Sequence, residues 1–366
     1  MVQMSHDAVP SQTDETVRWI EETVAFFLPI SIEADSMNIG HVVHEDIVPL
    51  MHLANLFGVA LESVRVLWHS SLARWAGDLE KLRGEVERII RDFYAALVRI
   101  PPEFLEDFWR QEQSISPSLN RLCFRHLIAG ASWMKSIHGV GDYRFLSPLL
   151  REVRMKVYNH HGLQNLGRMD IPPVPFRDQR KVLVIRKSGG MRTRSMQNID
   201  EVAEWTREIL NERVVRESGY SATVSVFDWK SVRAGGLKEE LGVWSSVDIL
   251  ITPCGGVSML GFFMRPGAQM IVMDHLEDDS RYAKSMSMEK MIWEALPWMS
   301  VQFYQIINRT DLVLPPEAWE DVDKHPERAH PVFRNEANVM VQKGRLRLLV
   351  LNAVERLRTF ETRLLE

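Results

Sequence analysis

Cysteine is scarce: the 366-residue chain has two, Cys123 and Cys254, far apart in sequence. Two isolated cysteines exclude a disulfide framework and offer no metal-type spacing. Long apolar runs are missing too. The longest near the start, "VAFFLPI", is far short of the roughly 20 residues that span a bilayer. No basic region precedes it and no small-residue cleavage site follows, so it is no signal peptide. A cytoplasmic protein, or a soluble region whose anchor is absent from this chain, is expected. Excess basic charge is also lacking: the net charge is −5 and the sequence pI about 6.2. No global positive field is available to hold nucleic acid. Neither G-x-G-x-x-G nor G-K-[ST] occurs, which removes the dinucleotide fingerprint and the P-loop. There is no internal repeat and no low-complexity tract.

What remains is an ordinary globular composition, 45% apolar and 25% charged, in a chain long enough for two domains. "DIPPVPFRDQRK" has three prolines and no period, so it reads as a linker, with residues 171–180 separating domains at 1–170 and 181–330. In the first half, "LEKLRGEVERIIRDFYAALVRI" places Leu82, Val86, Ile89, Ile90, Phe93 and Leu97 three and four apart, an amphipathic helix. "SVRVLWHS" and "LCFRHLIAG" predict short strands. After the linker, strands ("VLVIR", "SATVSVF", "VDILITP", "AQMIVMD") alternate with helices ("NIDEVAEWTREILNERVV", "GVSMLGFFM"). That alternation predicts an α/β fold with a mostly parallel, Rossmann-like sheet and ligands at the carboxyl ends of its strands. The tail, 331–366, ends in a long amphipathic helix.

Two stretches at strand ends suit phosphate. In "IRKSGGMRTR", Arg186, Lys187, Arg192 and Arg194 surround Gly189 and Gly190. Arginine forks bind phosphate oxygens bidentately, and glycine lets the backbone wrap them. A solvated basic loop has the same composition. In "TPCGGVSMLGFF", Cys254, Gly255, Gly256, Val257 and Ser258 lead from a strand into a helix, whose first N–H groups and dipole would attract an anion. A tight turn needing glycine for steric reasons fits equally. Asp274 ends the next strand, where it could accept from a ribose hydroxyl or be a plain surface acid.

"NIGHVVHEDIVPL" sets His41, His44, Glu45 and Asp46 in an apolar segment. On a helix Asn38, His41 and Glu45 share a face, and a His–carboxylate pair at that spacing can act as a general base. The competing reading is a solvated helix start capped by Asn38.

"NIGHVVHEDIVPL", "CFRHLIAG", "IRKSGGMRTRSMQNIDEV" and "SSVDILITPCGGVSMLGFFMRPGA", in that order, resemble the blocks of glycosyltransferase family 61. Its members include plant β-1,2-xylosyltransferases, the EGF-domain O-GlcNAc transferase and protein O-mannose β-1,4-N-acetylglucosaminyltransferase. The resemblance implies a GT-B-like fold, two Rossmann-like domains facing a cleft, with a long C-terminal helix packing back across both. It implies an inverting, metal-independent transfer of a sugar of the GlcNAc, xylose or arabinose class from a UDP-sugar to a glycan or glycoprotein hydroxyl. The family also implies a Golgi or endoplasmic reticulum lumen; in that compartment "NRT" at Asn308 is a glycosylation acceptor. On the donor side Arg186, Arg194, Cys254, Gly255 and Gly256 fall at family positions, and Lys187, Arg192, Val257, Ser258 and Asp274 are expected beside them from the loops and strand end read above. The implied catalytic set is Glu45, Asp46 and His41, with Asn38 and His44 on the acceptor side. Asn198 matches the family's asparagine four residues after the arginine. Cys254 stands where the family has histidine, and Glu45 where it usually has Asp. These two departures also fit a homologue that holds a nucleotide or glycan without turnover.

Overall fold

The computed structural model describes residues 15–27, 42–68, 79–129, 143–167, 180–187, 195–212, 215, 219, 221–228, 236–275, 288–326 and 329–365. The chain divides into two compact units, Met1–Gly139 and Val140–Glu366. The division falls ahead of the proline-rich segment, nearly all of which lies outside the described residues. It assigns the helix Ser147–His160 to the second unit.

In the first unit, four parallel strands lie in the order β3-β2-β1-β4, where β1 is Val17–Phe27, β2 Val64–Trp68, β3 Glu103–Phe104 and β4 Arg121–Ala129. β2 and β4 are the two strands the sequence predicts. The central strand, β1, is not evident there because Glu21 and Glu22 break its alternation. The register with β4 slips at that point, between Ile20 and Thr23. Both acids are met from neighbouring strands: Arg125 Nε of β4 donates to Glu21 at 2.8 Å, and Arg65 of β2 lies 3.6 Å from Glu22. Ile20, Val24 and Leu67 pack on Phe108 of the helix Leu105–Ile115. The amphipathic helix expected to run to residue 100 ends earlier, as Leu79–Asp92, and a 3-10 turn at Tyr94–Ala96 follows. Ile89, Phe93 and Leu97 are nonetheless buried, as the spacing requires.

The second unit holds five parallel strands in the order β6-β5-β7-β8-β9: β5 Arg180–Arg186, β6 Ala222–Asp228, β7 Ile249–Thr252, β8 Gln269–His275 and β9 Ser300–Gln305. Val182 to Ile185, Ile249 to Ile251 and Met270 to Met273 are buried, the unbroken apolar runs of strands covered on both faces. The helix Ile199–Leu210 buries Val202, Ile209 and Leu210 as its periodicity predicts, with Trp205 packed partly against the same core. A two-stranded antiparallel ribbon, β10 Leu312–Val313 and β11 Asn338–Val339, precedes the last helix. Ahead of β10, Asn308 caps the turn Arg309–Asp311, so the amide of the "NRT" acceptor is engaged in a capping box.

The last helix, Lys343–Leu365, buries Leu346, Val350, Ala353, Val354 and Leu357 in the core of the second unit. Its far end is tied to the amino edge of the sheet by buried charges. Asp248 accepts from Arg265 and from the Lys181 N–H (2.6 Å), while Glu361 of the helix accepts from Arg180 at 2.5 Å. Removing one partner of a buried ion pair costs about 3–5 kcal/mol, because the charge left behind is buried and unpaired. Beside it, Arg154 and Tyr158 of the helix Ser147–His160 donate to the carbonyls of Met264 (3.0 Å) and Phe263 (2.6 Å). They cap the carboxyl end of the turn that follows β7. Arg154 is fully buried; desolvation pulls its pKa down, and the ring of Tyr158 lies 4.6 Å beneath it.

Gly267 has φ +82° and sits directly under Phe360, where an added Cβ would lie 2.3 Å from the ring. Gly84, inside the helix Leu79–Asp92, has nothing within 4 Å of that position. Gly267→Ala should therefore lower the unfolding free energy by about 2 kcal/mol or more. Gly84→Ala should raise it by about 0.5–1 kcal/mol. Denaturant midpoints at unchanged slope check both, and equal shifts would refute the close approach at Gly267.

Candidate functional site

All five strands of the second sheet run the same way, so their carboxyl ends share one edge. From β5 the chain winds outward to β6, then returns past β5 to β7 and onward. The winding direction reverses between β5 and β7, and loops leaving the two sides of such a reversal part to leave a crevice. The two stretches that suit phosphate are these two loops. Asp274 stands near the carboxyl end of β8, the next strand along.

Arg186 is the last residue of β5, in register with Asp228 of β6. Its guanidinium donates to Asp200 at 2.5 Å, a pair that is 43% exposed on the arginine side and 82% on the acid side. Asp200 is in the first turn of the helix Ile199–Leu210, where the dipole favours an acid. A pair this exposed contributes about 1 kcal/mol at most. Lys187 follows at intermediate exposure. Gly189, Gly190, Arg192 and Arg194 lie outside the described residues. The description resumes at Ser195, whose N–H and hydroxyl both donate to Asn338 Oδ1, at 3.1 and 3.0 Å. Asn198 donates to the Val341 carbonyl and accepts from the Val341 N–H, both at 3.0 Å. The asparagine of the motif thus holds the backbone together.

At the end of β7, Gly255 adopts φ +110°, which favours glycine. The carbonyl of Gly255 accepts from Ser258 N (2.9 Å), Ser258 Oγ (2.7 Å) and Met259 N (3.3 Å). Two expectations need correcting here. The element that follows is a six-residue 3-10 helix, Ser258–Phe263, too short for an appreciable dipole. Ser258, expected among the donor-binding residues, is fully buried with its hydroxyl turned back into the loop. The backbone N–H groups of Gly256 and Val257 make no hydrogen bond among the described residues and are the remaining donors of the turn. Cys254 is only 5% exposed, packed behind them.

In the first unit, Val42–Ile47 forms a π-helical turn that runs straight into the α-helix Val48–Leu56, with Pro49 in its first turn. A chain leaving the carboxyl end of β1 must return to start the parallel β2, and these two elements begin that return. Asn38 and His41 lie outside the described residues; of Glu45 only the backbone is described. Val42, Val43, His44, Asp46, Ile47 and Val48 are all buried, His44 and Asp46 each at 1% exposure; the face Asn38–His41–Glu45, to which the solvated-helix reading applies, lies outside these residues. The turn is π rather than the α-turn assumed from spacing, a geometry frequent at functional sites. Asp46 lies close enough to the fully buried Tyr94 to act on it: desolvation, then the Asp46 charge, hold the Tyr94 hydroxyl well above its ordinary pKa. Tyr94 packs edge-on against Trp68, the last residue of β2, at 5.3 Å. Trp68, Tyr94, Asp200 and Asn338 carry no local signal in the sequence. Long-range packing brings them to the two sites.

The family model described as Glycosyltransferase 61 matches residues 39–271, well over half of the chain. It spans the buried acidic turn and both loops at the β5–β7 reversal. No curated protein matches the chain. Among solved structures the chain is similar to a glycosyl transferase family 9 protein from Veillonella parvula DSM 2008, at 9% identity, over 94% of this chain and 97% of that one, with a TM-score of 0.28.

The burial of Cys254 yields an expectation for the histidine that the motif otherwise carries. Cys254→His must fit a larger ring into a packed site, so it should lower the unfolding free energy by about 1–3 kcal/mol. A denaturation curve superposing on the parent's would show that position 254 has free space toward the crevice.

Proposed function

The chain belongs to glycosyltransferase family 61 and is a glycosyltransferase, and from that premise we propose an inverting, metal-independent transfer from a UDP-sugar to a glycan or glycoprotein hydroxyl. The observation that carries the donor side is the meeting of two loops at one reversal of strand order. The loop after β5 brings arginines and the turn after β7 brings backbone N–H groups. A departing UDP builds negative charge on its β-phosphate. Arg186, Lys187, Arg192 and Arg194, with the N–H groups of Gly256 and Val257, supply the positive field that a metal supplies elsewhere. Asp274, two strands from the arginines, has a suitable place for a ribose hydroxyl.

The acceptor and the base belong to the first unit. Glu45 takes the proton of the acceptor hydroxyl, His41 orients it, and Asn38 lines the acceptor side; His44, expected there too, is buried at 1% exposure and does not face an acceptor. Asp46 is the alternative base, and its burial beside Tyr94 favours a positioning part for it over proton transfer. The sugar is of the GlcNAc, xylose or arabinose class, and a secretory lumen is the compartment in which such acceptors are presented.

The direct test is UDP release from a panel of UDP-sugars, with and without acceptor, in EDTA. Release that persists in EDTA supports the reading. UDP binding without any release would assign the chain to the non-catalytic class. Arg194→Ala should weaken UDP binding at least tenfold, the loss of a charge-assisted bond to phosphate. Unchanged affinity in calorimetry would return the β5 loop to a plain basic loop.

Glu45→Gln keeps size and removes proton acceptance, so the transfer rate should fall by about 10²- to 10⁴-fold with UDP affinity intact. Asp46→Asn should act mainly on stability. A rate loss confined to Asp46→Asn would move the base by one residue and sink the assignment of Glu45.

A further inference from the structure

One motif takes no part in the transfer proposed above: Asn308-Arg309-Thr310, the single Asn-x-Ser/Thr triplet of the chain. Such a triplet accepts an N-linked oligosaccharide where its amide lies on the surface and its middle residue is not proline. Arginine stands in the middle here, and aspartate follows the threonine. Composition does not show whether the amide is within reach, and the capping box around it makes the question sharp.

The triplet lies in the connection from β9 to β10 of the second unit. The Asn308 side chain accepts from the backbone N–H of Asp311, while its own backbone N–H donates to Asp311 Oδ2 at 3.0 Å. Only the oxygen of an amide side chain can accept, so its nitrogen takes no part in the cap. Nδ2 has no hydrogen-bond partner among the described residues. The cap therefore orients the amide by one end and leaves the reactive end open.

The surrounding bonds hold this arrangement. Asp311 Oδ2 also accepts from the Ile307 N–H at 2.9 Å, and Arg345 of the last helix pairs with the same carboxylate. Arg309 is turned onto the helix Pro316–Lys324, with two bonds to Asp323 at 2.9 and 3.0 Å and its guanidinium 4.0 Å over the ring of Trp319. Asn308 and Thr310 stay exposed, and Ile307 beside them is 56% exposed. The Thr310 hydroxyl, by which the triplet is recognised, makes no hydrogen bond among the described residues.

We infer that Asn308 carries an N-linked oligosaccharide, an inference that rests on the secretory-lumen reading given above. In the transfer, Nδ2 loses one proton and bonds to the anomeric carbon of an oligosaccharide carried on a lipid diphosphate. The bond from that carbon to the diphosphate oxygen breaks, and the lipid diphosphate leaves. The linked amide keeps its oxygen, so the capping box survives the modification.

The test uses the full-length protein produced in its source cells. Enzymatic release of N-glycans in heavy-oxygen water turns a glycosylated asparagine into labelled aspartate, which peptide mass spectrometry locates. Label is expected at Asn308, with a gel shift on glycan release that is lost in Asn308→Asp and in Thr310→Ala. Both variants keep the cap, because aspartate caps as well as asparagine and position 310 leaves Asn308 in place. Loss of the shift therefore reports the modification and not a broken turn. Protease protection in sealed vesicles from the same cells separates two failures. A protected protein with unlabelled Asn308 overturns the inference and leaves the lumen reading standing. A protein digested outside intact vesicles overturns both. A gel shift that persists in both variants rejects Asn308 as the site.

Discussion

The parallel pairing of β5 with β7 is the constraint on which the donor side depends. Val182, Leu183 and Val184 lie in register with Ile249, Leu250 and Ile251, and β6 is left on the far side of β5. Because both strands are buried and nearly all apolar, their register is fixed by packing on two faces. Two loops far apart in sequence then leave the same edge side by side. Neither loop is a phosphate site by composition alone. Their adjacency at a reversal is what supports the proposed donor site.

The opposite edge of that sheet is where the second unit is held shut. Asp248 ties the start of β5 to Arg265, and Glu361 reaches back from the last helix to Arg180. Gly267 allows Phe360 to lie against the backbone at that corner. The last helix is thus bound at its far end by ion pairs and at its near end by Arg345 on Asp311. Between them its apolar stripe fills the core.

The first unit follows the same logic with a different emphasis. Its strand order, with β1 inside and β2 and β4 on either side, again puts a reversal next to the segment that follows β1. Two polar residues of that segment, His44 and Asp46, are away from water. His44 and Asp46 are enclosed with Tyr94 and Trp68, where desolvation makes each charge costly. Burial of this kind is a poor way to gain stability and a usual way to set protonation at a site.

Much of this was legible in the sequence. The strands β2, β4, β5, β6, β7 and β8, the helix Ile199–Leu210 and the last helix follow from period and apolar content, which act locally. The order of the four motifs identified the family, since residues that meet a common ligand chemistry keep their spacing within each loop. What the sequence left open depended on partners distant in the chain. β1 hides because its two acids make sense only opposite Arg125 and Arg65. Asp46 comes near enough to act on Tyr94 only in the folded chain, and the turn after β7 consumes Ser258 where composition alone offers it as a ligand. Asn338 has no meaning until the chain brings it to Ser195, because a hydrogen bond is set by position in space and the sequence encodes that position only through the whole fold.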